Sequence, residues 1–118
     1  MDSKNINITI IGQGYVGLPL AIEFGKLYPT LGFDINTKRI EDLKKCIDYT
    51  KETTQIQLKS AKYLNFSSNL NEIAKSNVYI LTVPTPIDEY KTPDLKPLKD
   101  ASKMIGEILK KGDVVIYE

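Results

Sequence analysis

The stretch Ile6-Asn7-Ile8-Thr9-Ile10-Ile11-Gly12-Gln13-Gly14-Tyr15-Val16-Gly17 changes character at Gly12, where a β-branched apolar run gives way to a turn punctuated by three glycines. The run from Ile6 to Ile11 reads as a buried strand. From Tyr15 to Leu27 the periodicity becomes helical, with Val16, Leu20, Phe24 and Leu27 along one stripe. Pro19 falls in the first turn or so, where a missing backbone donor costs little. A glycine-rich turn is by itself a weak signal, and one without a ligand is the plain alternative. Placed between a strand and a helix, the spacing G-x-G-x-x-G acquires a physical meaning. Gly12 permits the tight turn, Gly14 lets the backbone approach a pyrophosphate, and Gly17 lets the helix pack close to the strand. The unpaired amides of the first helical turn then face an anion.

Working outward, Thr30 to Phe33 reads as a second strand ended by Asp34. An acidic residue about 20 positions beyond the glycine loop can accept hydrogen bonds from an adenosine ribose. Its charge would repel a 2′-phosphate, so NAD is expected over NADP. Alone, Asp34 reads equally as a carboxylate offsetting a helix dipole. Asn36 or Thr37 can cap the next helix, whose stripe is Ile40, Leu43 and Ile47. Arg39 in its first turns either reaches the adenosine side of a cofactor or is solvated like Lys38. A guanidinium can also hold a phosphate, which softens the exclusion of NADP.

Further along, the pattern predicts a helix over 54–61, a strand over 64–67, a short helix over 69–75 and a strand from Val78 to Val83. Val83-Pro84-Thr85-Pro86 then closes the fourth strand, beside the crevice where a doubly wound sheet binds its ligand. Thr85 can hydrogen-bond a cofactor there, or the segment is simply a rigid turn. Pro97 opens an amphipathic helix carrying Leu98, Ala101, Ile105, Ile108 and Leu109, with Lys110, Lys111 and Gly112 as its stop. Val114 to Tyr117 begins a fifth strand.

Strands alternating with helices predict an α/β, Rossmann-type doubly wound parallel sheet spanning residues 1–118 as one domain. Apolar residues make up 42% of the 118, enough for one core. Sixteen basic against 15 acidic residues leave a net charge of +1 without blocks, so neither nucleic acid nor a membrane surface is expected as partner. No apolar run reaches spanning length and no secretory leader is evident, so a cytoplasmic setting is expected. The absence of histidine excludes an imidazole base or ligand from this stretch, and no metal site is expected. The lone Cys46, on the stripe of the second helix, reads as an inert buried thiol. Because Glu118 directly follows an apolar strand, the chain is expected to be a fragment lacking the last strand or strands of the sheet.

Gly12 to Ala21, Gly32-Phe33-Asp34-Ile35-Asn36 and Val83-Pro84-Thr85-Pro86 together resemble the NAD-binding domain of the UDP-glucose/GDP-mannose dehydrogenase family. The segment Val83 to Leu98, with Ile87-Asp88-Glu89-Tyr90 and Thr92-Pro93-Asp94-Leu95, is similar to the branch that oxidises UDP-N-acetylhexosamines for surface polysaccharides. The resemblance implies a C6 alcohol taken through an aldehyde to a carboxylate, with two NAD⁺ consumed and a thioester formed on a cysteine. That cysteine and its assisting lysine and asparagine lie downstream in the family, so no catalytic residue is expected here and Cys46 is not a candidate. The resemblance implies cofactor contacts from Gly12, Gln13, Gly14, Tyr15, Val16, Gly17, Asp34, Arg39, Val83, Pro84 and Thr85. It further implies a UDP-sugar substrate and a homodimer for the full-length protein. Two other readings share the loop and the acid: an S-adenosylmethionine-dependent methyltransferase fragment, and a non-catalytic NAD(H)-sensing module.

Overall fold

The computed structural model describes residues 5–51, 53–84 and 94–118. Within them five strands and five helices follow one another: β1 (Ile8–Ile11), α1 (Gly17–Gly25), β2 (Thr30–Phe33), α2 (Thr37–Lys44), α3 (Gln55–Ser60), β3 (Leu64–Ser67), α4 (Leu70–Ile73), β4 (Val78–Leu81), α5 (Lys96–Gly106) and β5 (Val114–Tyr117). The strands form one parallel sheet in the order β3-β2-β1-β4-β5. Ile8 of β1 stands opposite Thr30 on one side and Val78 on the other. The chain therefore winds outward from β1 to β3, returns to the middle, and winds the other way through β4 and β5. The reversal leaves a crevice at the carboxyl ends of β1 and β4.

Both faces of the sheet are covered, which is why the central strands β1 and β4 are largely apolar rather than alternating, the buried Thr9 hydroxyl of β1 being paired with that of Ser76. On one face Leu18, Ala21 and Ile22 of α1 pack with Ile8 and Ile10, and with Ile40, Leu43 and Leu58 from α2 and α3. On the other, Ile73 of α4 and Ala101 and Ile105 of α5 pack on Ile11, Phe33, Tyr79 and Leu81. Burying one such aliphatic side chain contributes about 1.5–3 kcal/mol.

Local chemistry sets several element ends. The Asn36 side chain accepts from the Arg39 amide at 3.1 Å and starts α2. Thr54 and Gln57 exchange side-chain bonds in a capping box that starts α3.

The structure corrects the sequence reading in five places. Strand β1 begins at Ile8 because the Asn7 amide donates to the Asn77 side chain rather than to a neighbouring strand. Helix α1 begins at Gly17, and its buried face is Leu18, Ala21, Ile22 and Gly25, leaving Val16 and Leu27 exposed. Strand β4 ends at Leu81, two residues before Val83. Helix α5 ends at Gly106; Ile108 packs on the same core from the turn beyond, extending the apolar pattern past the helix. Cys46 is not on α2 but follows it, at φ 61°, partly buried, and Ile47 is exposed. The Cys46 amide donates to the Leu43 carbonyl and the Ile47 amide to the Asp42 carbonyl, a Schellman closure with cysteine where glycine is usual.

Candidate functional site

Three strand ends meet at the crevice: β1 runs into the glycine loop, and β2 and β4 each supply one wall of it. From β2, the Phe33 carbonyl accepts the Gly12 amide at 2.8 Å, and Asp34 follows immediately. From β4, the Thr82 amide donates to the Ile11 carbonyl at 2.9 Å. The Thr82 hydroxyl lies 2.9 Å from both the Ile11 and the Gly12 carbonyls. Gly12 turns the chain at φ 98°, with Thr82 so close that a Cβ would meet its backbone oxygen at 3.2 Å. A Cβ on Gly17 would collide with the Gly12 carbonyl, so the first turn of α1 rests directly on the end of β1.

Gly14 is different: a Cβ there would meet nothing within 4 Å. Among the described residues no neighbour accounts for a glycine at that position, and open space beside the backbone suits a ligand. Val16 caps α1 without a side-chain bond. Among the described residues, the amides of Gly14, Tyr15, Val16 and Gly17 have no acceptor. Gly14, Tyr15 and Val16 are exposed, and their amides lead into the buried Gly17 at the positive end of a helix dipole, the arrangement that binds phosphate. Tyr15, Val16 and Ile35 are exposed beside it.

Asp34 is oriented by two backbone donors, Gln13 to one carboxylate oxygen at 2.9 Å and Asn36 to the other at 3.0 Å. Each oxygen keeps lone-pair capacity for a further donor such as a ribose hydroxyl. The open strip at Gly14, the unpaired amides and this carboxylate together fit a dinucleotide.

Gln13 is held through its main chain and its side-chain nitrogen, while Oε1 is buried without a partner among the described residues. Its side chain turns into the interior, where Nε2 donates to the Ile10 and Gly12 carbonyls at 3.0 Å each. Gly32 leaves room for it, since a Cβ there would come 2.6 Å from Oε1. Its main chain donates to Asp34 and accepts from Arg39 Nε at 2.9 Å. Gln13 thus lies in the loop while its side chain points away from the open edge.

Arg39 is not one of the solvated lysine-like residues. Its side chain is 4% exposed, and Nη1 donates to Asp48 Oδ1 at 2.7 Å. The guanidinium carbon sits 4.9 Å from the centre of the Tyr49 ring. Asp48 is fully buried and accepts in addition from the Thr50 amide and hydroxyl at 3.0 and 2.6 Å, and from the Thr53 amide and hydroxyl at 3.0 and 2.8 Å. Burial pushes its carboxyl up, but the Thr50 hydroxyl, Arg39 and Thr53 together outweigh that and hold it well below the usual carboxylate range.

Val83 packs half-buried against the α5 core and Pro84 is exposed, both just past β4. Thr85 lies outside the described residues. The structure thus gathers the glycine loop, Asp34 and the end of β4 on one edge. Thr82 and Asp48 were missed by the sequence reading. Asp48-x-Thr50-x-x-Thr53 did carry a signal, because an acid followed by hydroxyl residues closes Asx- and ST-type turns.

A parallel sheet of this order, with a glycine loop opening a helix at the switch point and an acid at the end of the neighbouring strand, defines a dinucleotide-binding α/β domain. Residues 6–118 match the UDP-glucose/GDP-mannose dehydrogenase family, NAD binding domain, and the chain belongs to that family. It is 56% identical over 115 residues to the UDP-N-acetyl-D-glucosamine 6-dehydrogenase of Pseudomonas aeruginosa, covering 98% of this chain and 27% of that protein. To the enzyme of the same name from Salmonella typhi it is 54% identical, covering 96% of this chain and 27% of that protein. Among solved structures, the UDP-D-ManNAc dehydrogenase of Pyrococcus horikoshii superposes with a TM-score of 0.89 at 30% identity, over 96% of this chain and 28% of that one. The chain thus spans about a quarter of the length of these relatives. Family membership settles the choice between dinucleotide and S-adenosylmethionine chemistry in favour of NAD. No described helix is long and apolar enough to cross a membrane.

Proposed function

We propose that the chain is the NAD-binding portion of a longer UDP-N-acetylhexosamine 6-dehydrogenase serving surface-polysaccharide synthesis. The observation that carries the reading is the 54–56% identity to two UDP-N-acetyl-D-glucosamine 6-dehydrogenases across nearly the whole chain. Bound NAD⁺ would supply the hydride acceptor, two per sugar, as the C6 alcohol goes to the carboxylate. The residues of this chain bind and orient that acceptor. The amides of Gly14 to Gly17 hold the pyrophosphate, Asp34 holds the adenosine ribose, Tyr15, Val16, Val83 and Pro84 line the approach, and Thr85 is proposed as a further hydrogen-bond partner of the cofactor. The catalytic cysteine and most sugar contacts belong to other parts of the protein, which we place in the cytoplasm as a homodimer.

The test is turnover by the complete open reading frame with UDP-N-acetylglucosamine, UDP-N-acetylgalactosamine, UDP-glucose or GDP-mannose, followed by NADH absorbance. Two NADH per sugar with an N-acetylated UDP-hexosamine is the expected result. Preference for UDP-glucose or GDP-mannose overturns the substrate assignment. Tight NAD binding without turnover of any of the four favours an NAD(H)-sensing role instead.

A further inference from the structure

The turn after β2 carries a contradiction. Asp34 repels a 2′-phosphate, yet Lys38 and Arg39 follow at the start of α2, where cations accommodate that phosphate in NADP-binding relatives of the fold. In the structure both cations are already paired. Lys38 meets Asp42 at 2.9 Å on the surface. Arg39 meets Asp48 at 2.7 Å with both side chains buried, so solvent screens this second pair far less. The geometry also ties Arg39 to Asp34, because the two residues grip opposite ends of one residue: Asp34 takes the Gln13 amide and Arg39 holds the Gln13 carbonyl. With both bonds at 2.9 Å, Arg39 Nε lies no more than about 9 Å from the Asp34 carboxylate.

We propose that Asp48 is a specificity-determining residue, which buries a neutralising partner against Arg39 and thereby reserves the ribose site for a dinucleotide with a free 2′-hydroxyl. Asp48 touches no cofactor in this scheme; it acts through Arg39. The Thr50 and Thr53 hydroxyls and amides keep it ionised and fixed, so the cancellation is permanent rather than fluctuating. The inference rests on the NAD reading above and adds to it the residue that enforces the preference.

Asp48→Asn keeps an acceptor for Arg39 and removes the charge. Its expected effect is a gain of about tenfold in NADP affinity relative to NAD, the worth of one unmasked charge at this range. The measurement is calorimetric titration of both dinucleotides into the protein expressed as its complete open reading frame, with a thermal melt to establish folding. Loosened packing alone would weaken both ligands together and leave the ratio unmoved. The double variant Arg39→Gln/Asp48→Asn, again without net charge at the pair, is expected to return the ratio to within about threefold of the parent.

A folded D48N protein with an unchanged ratio overturns the proposal, as does a double variant that keeps the shifted ratio. Should D48N not fold, Arg39→Gln decides in its place: it leaves the Asp48 charge uncancelled and is expected to lower NADP affinity relative to NAD by about tenfold, and a folded R39Q protein with an unchanged ratio overturns the proposal. A parent protein that prefers NADP or binds neither dinucleotide fails on the NAD reading itself, an outcome separate from the variants.

Discussion

Substituting alanine at Gly14 and, separately, at Gly17 will split stability from ligand binding. At Gly17 the new Cβ collides with the Gly12 carbonyl and with the Thr82 hydroxyl, and would lie 2.8 Å from the Gly12 carbonyl carbon, so backbone has to move as well as a side chain. Overpacking of this kind costs about 1–3 kcal/mol. For a domain of this size that lowers the melting midpoint by about 4 °C per kcal/mol. At Gly14 the Cβ meets nothing, and the backbone does not occupy the left-handed region. Alanine there is expected to leave stability unchanged or raise it by about 0.4–1 kcal/mol, since it restricts the unfolded chain. The same methyl group stands on the strip offered to the pyrophosphate, so NAD affinity is expected to fall by tenfold or more, about 1.4 kcal/mol. Thermal melts followed by NAD titration of each variant measure both quantities. Equal destabilisation at the two positions, or undiminished NAD binding by G14A, would refute the assignment of Gly14 to the ligand and Gly17 to the fold.

Two further outcomes follow from the α2–α3 connection. Cys46→Gly is expected to stabilise the chain by about 1 kcal/mol in urea denaturation, because Cys46 holds φ 61° at the closing position of α2 and glycine adopts that conformation without strain. Asp48 makes stability acid-sensitive: its folded carboxyl is held below the unfolded value, so its contribution is complete above about pH 4 and lost as pH falls further. Denaturation midpoints taken from about pH 6 to about pH 3 should decline more steeply for the parent than for Asp48→Asn.

The sheet was legible because its central strands announce themselves as continuous apolar runs, and the loop because its glycines sit where a strand becomes a helix. Asp34 followed from its spacing to that loop. What escaped had long-range causes. Arg39 reads from the sequence either as a cofactor contact or as a solvated cation; that the segment after α2 folds back and encloses it with Asp48 and Tyr49 is a contact no local pattern encodes. The end of α5 was overrun because Ile108 remains apolar for the core while the helix has already stopped. Cys46 hid the end of α2 because the residue that normally marks such an end is glycine. Thr82 looked like one more residue of β4, although its hydroxyl bridges to the carbonyls of Ile11 and Gly12.

The grip on Gln13 carries a consequence for how the domain lives with its ligand. The bonds that shape the loop, from Ile10, Gly12, Asp34 and Arg39, are the same bonds that close the carboxyl edge of the sheet. The loop therefore has little freedom left to lose when a ligand arrives, and little means of melting while the sheet persists. Site and fold come apart as one cooperative unit. By mass action, cofactor in excess over its dissociation constant then protects the whole domain, at about 2.7 kcal/mol for a hundredfold excess. A cell rich in the dinucleotide would keep more of this protein folded, so its abundance would follow cofactor supply.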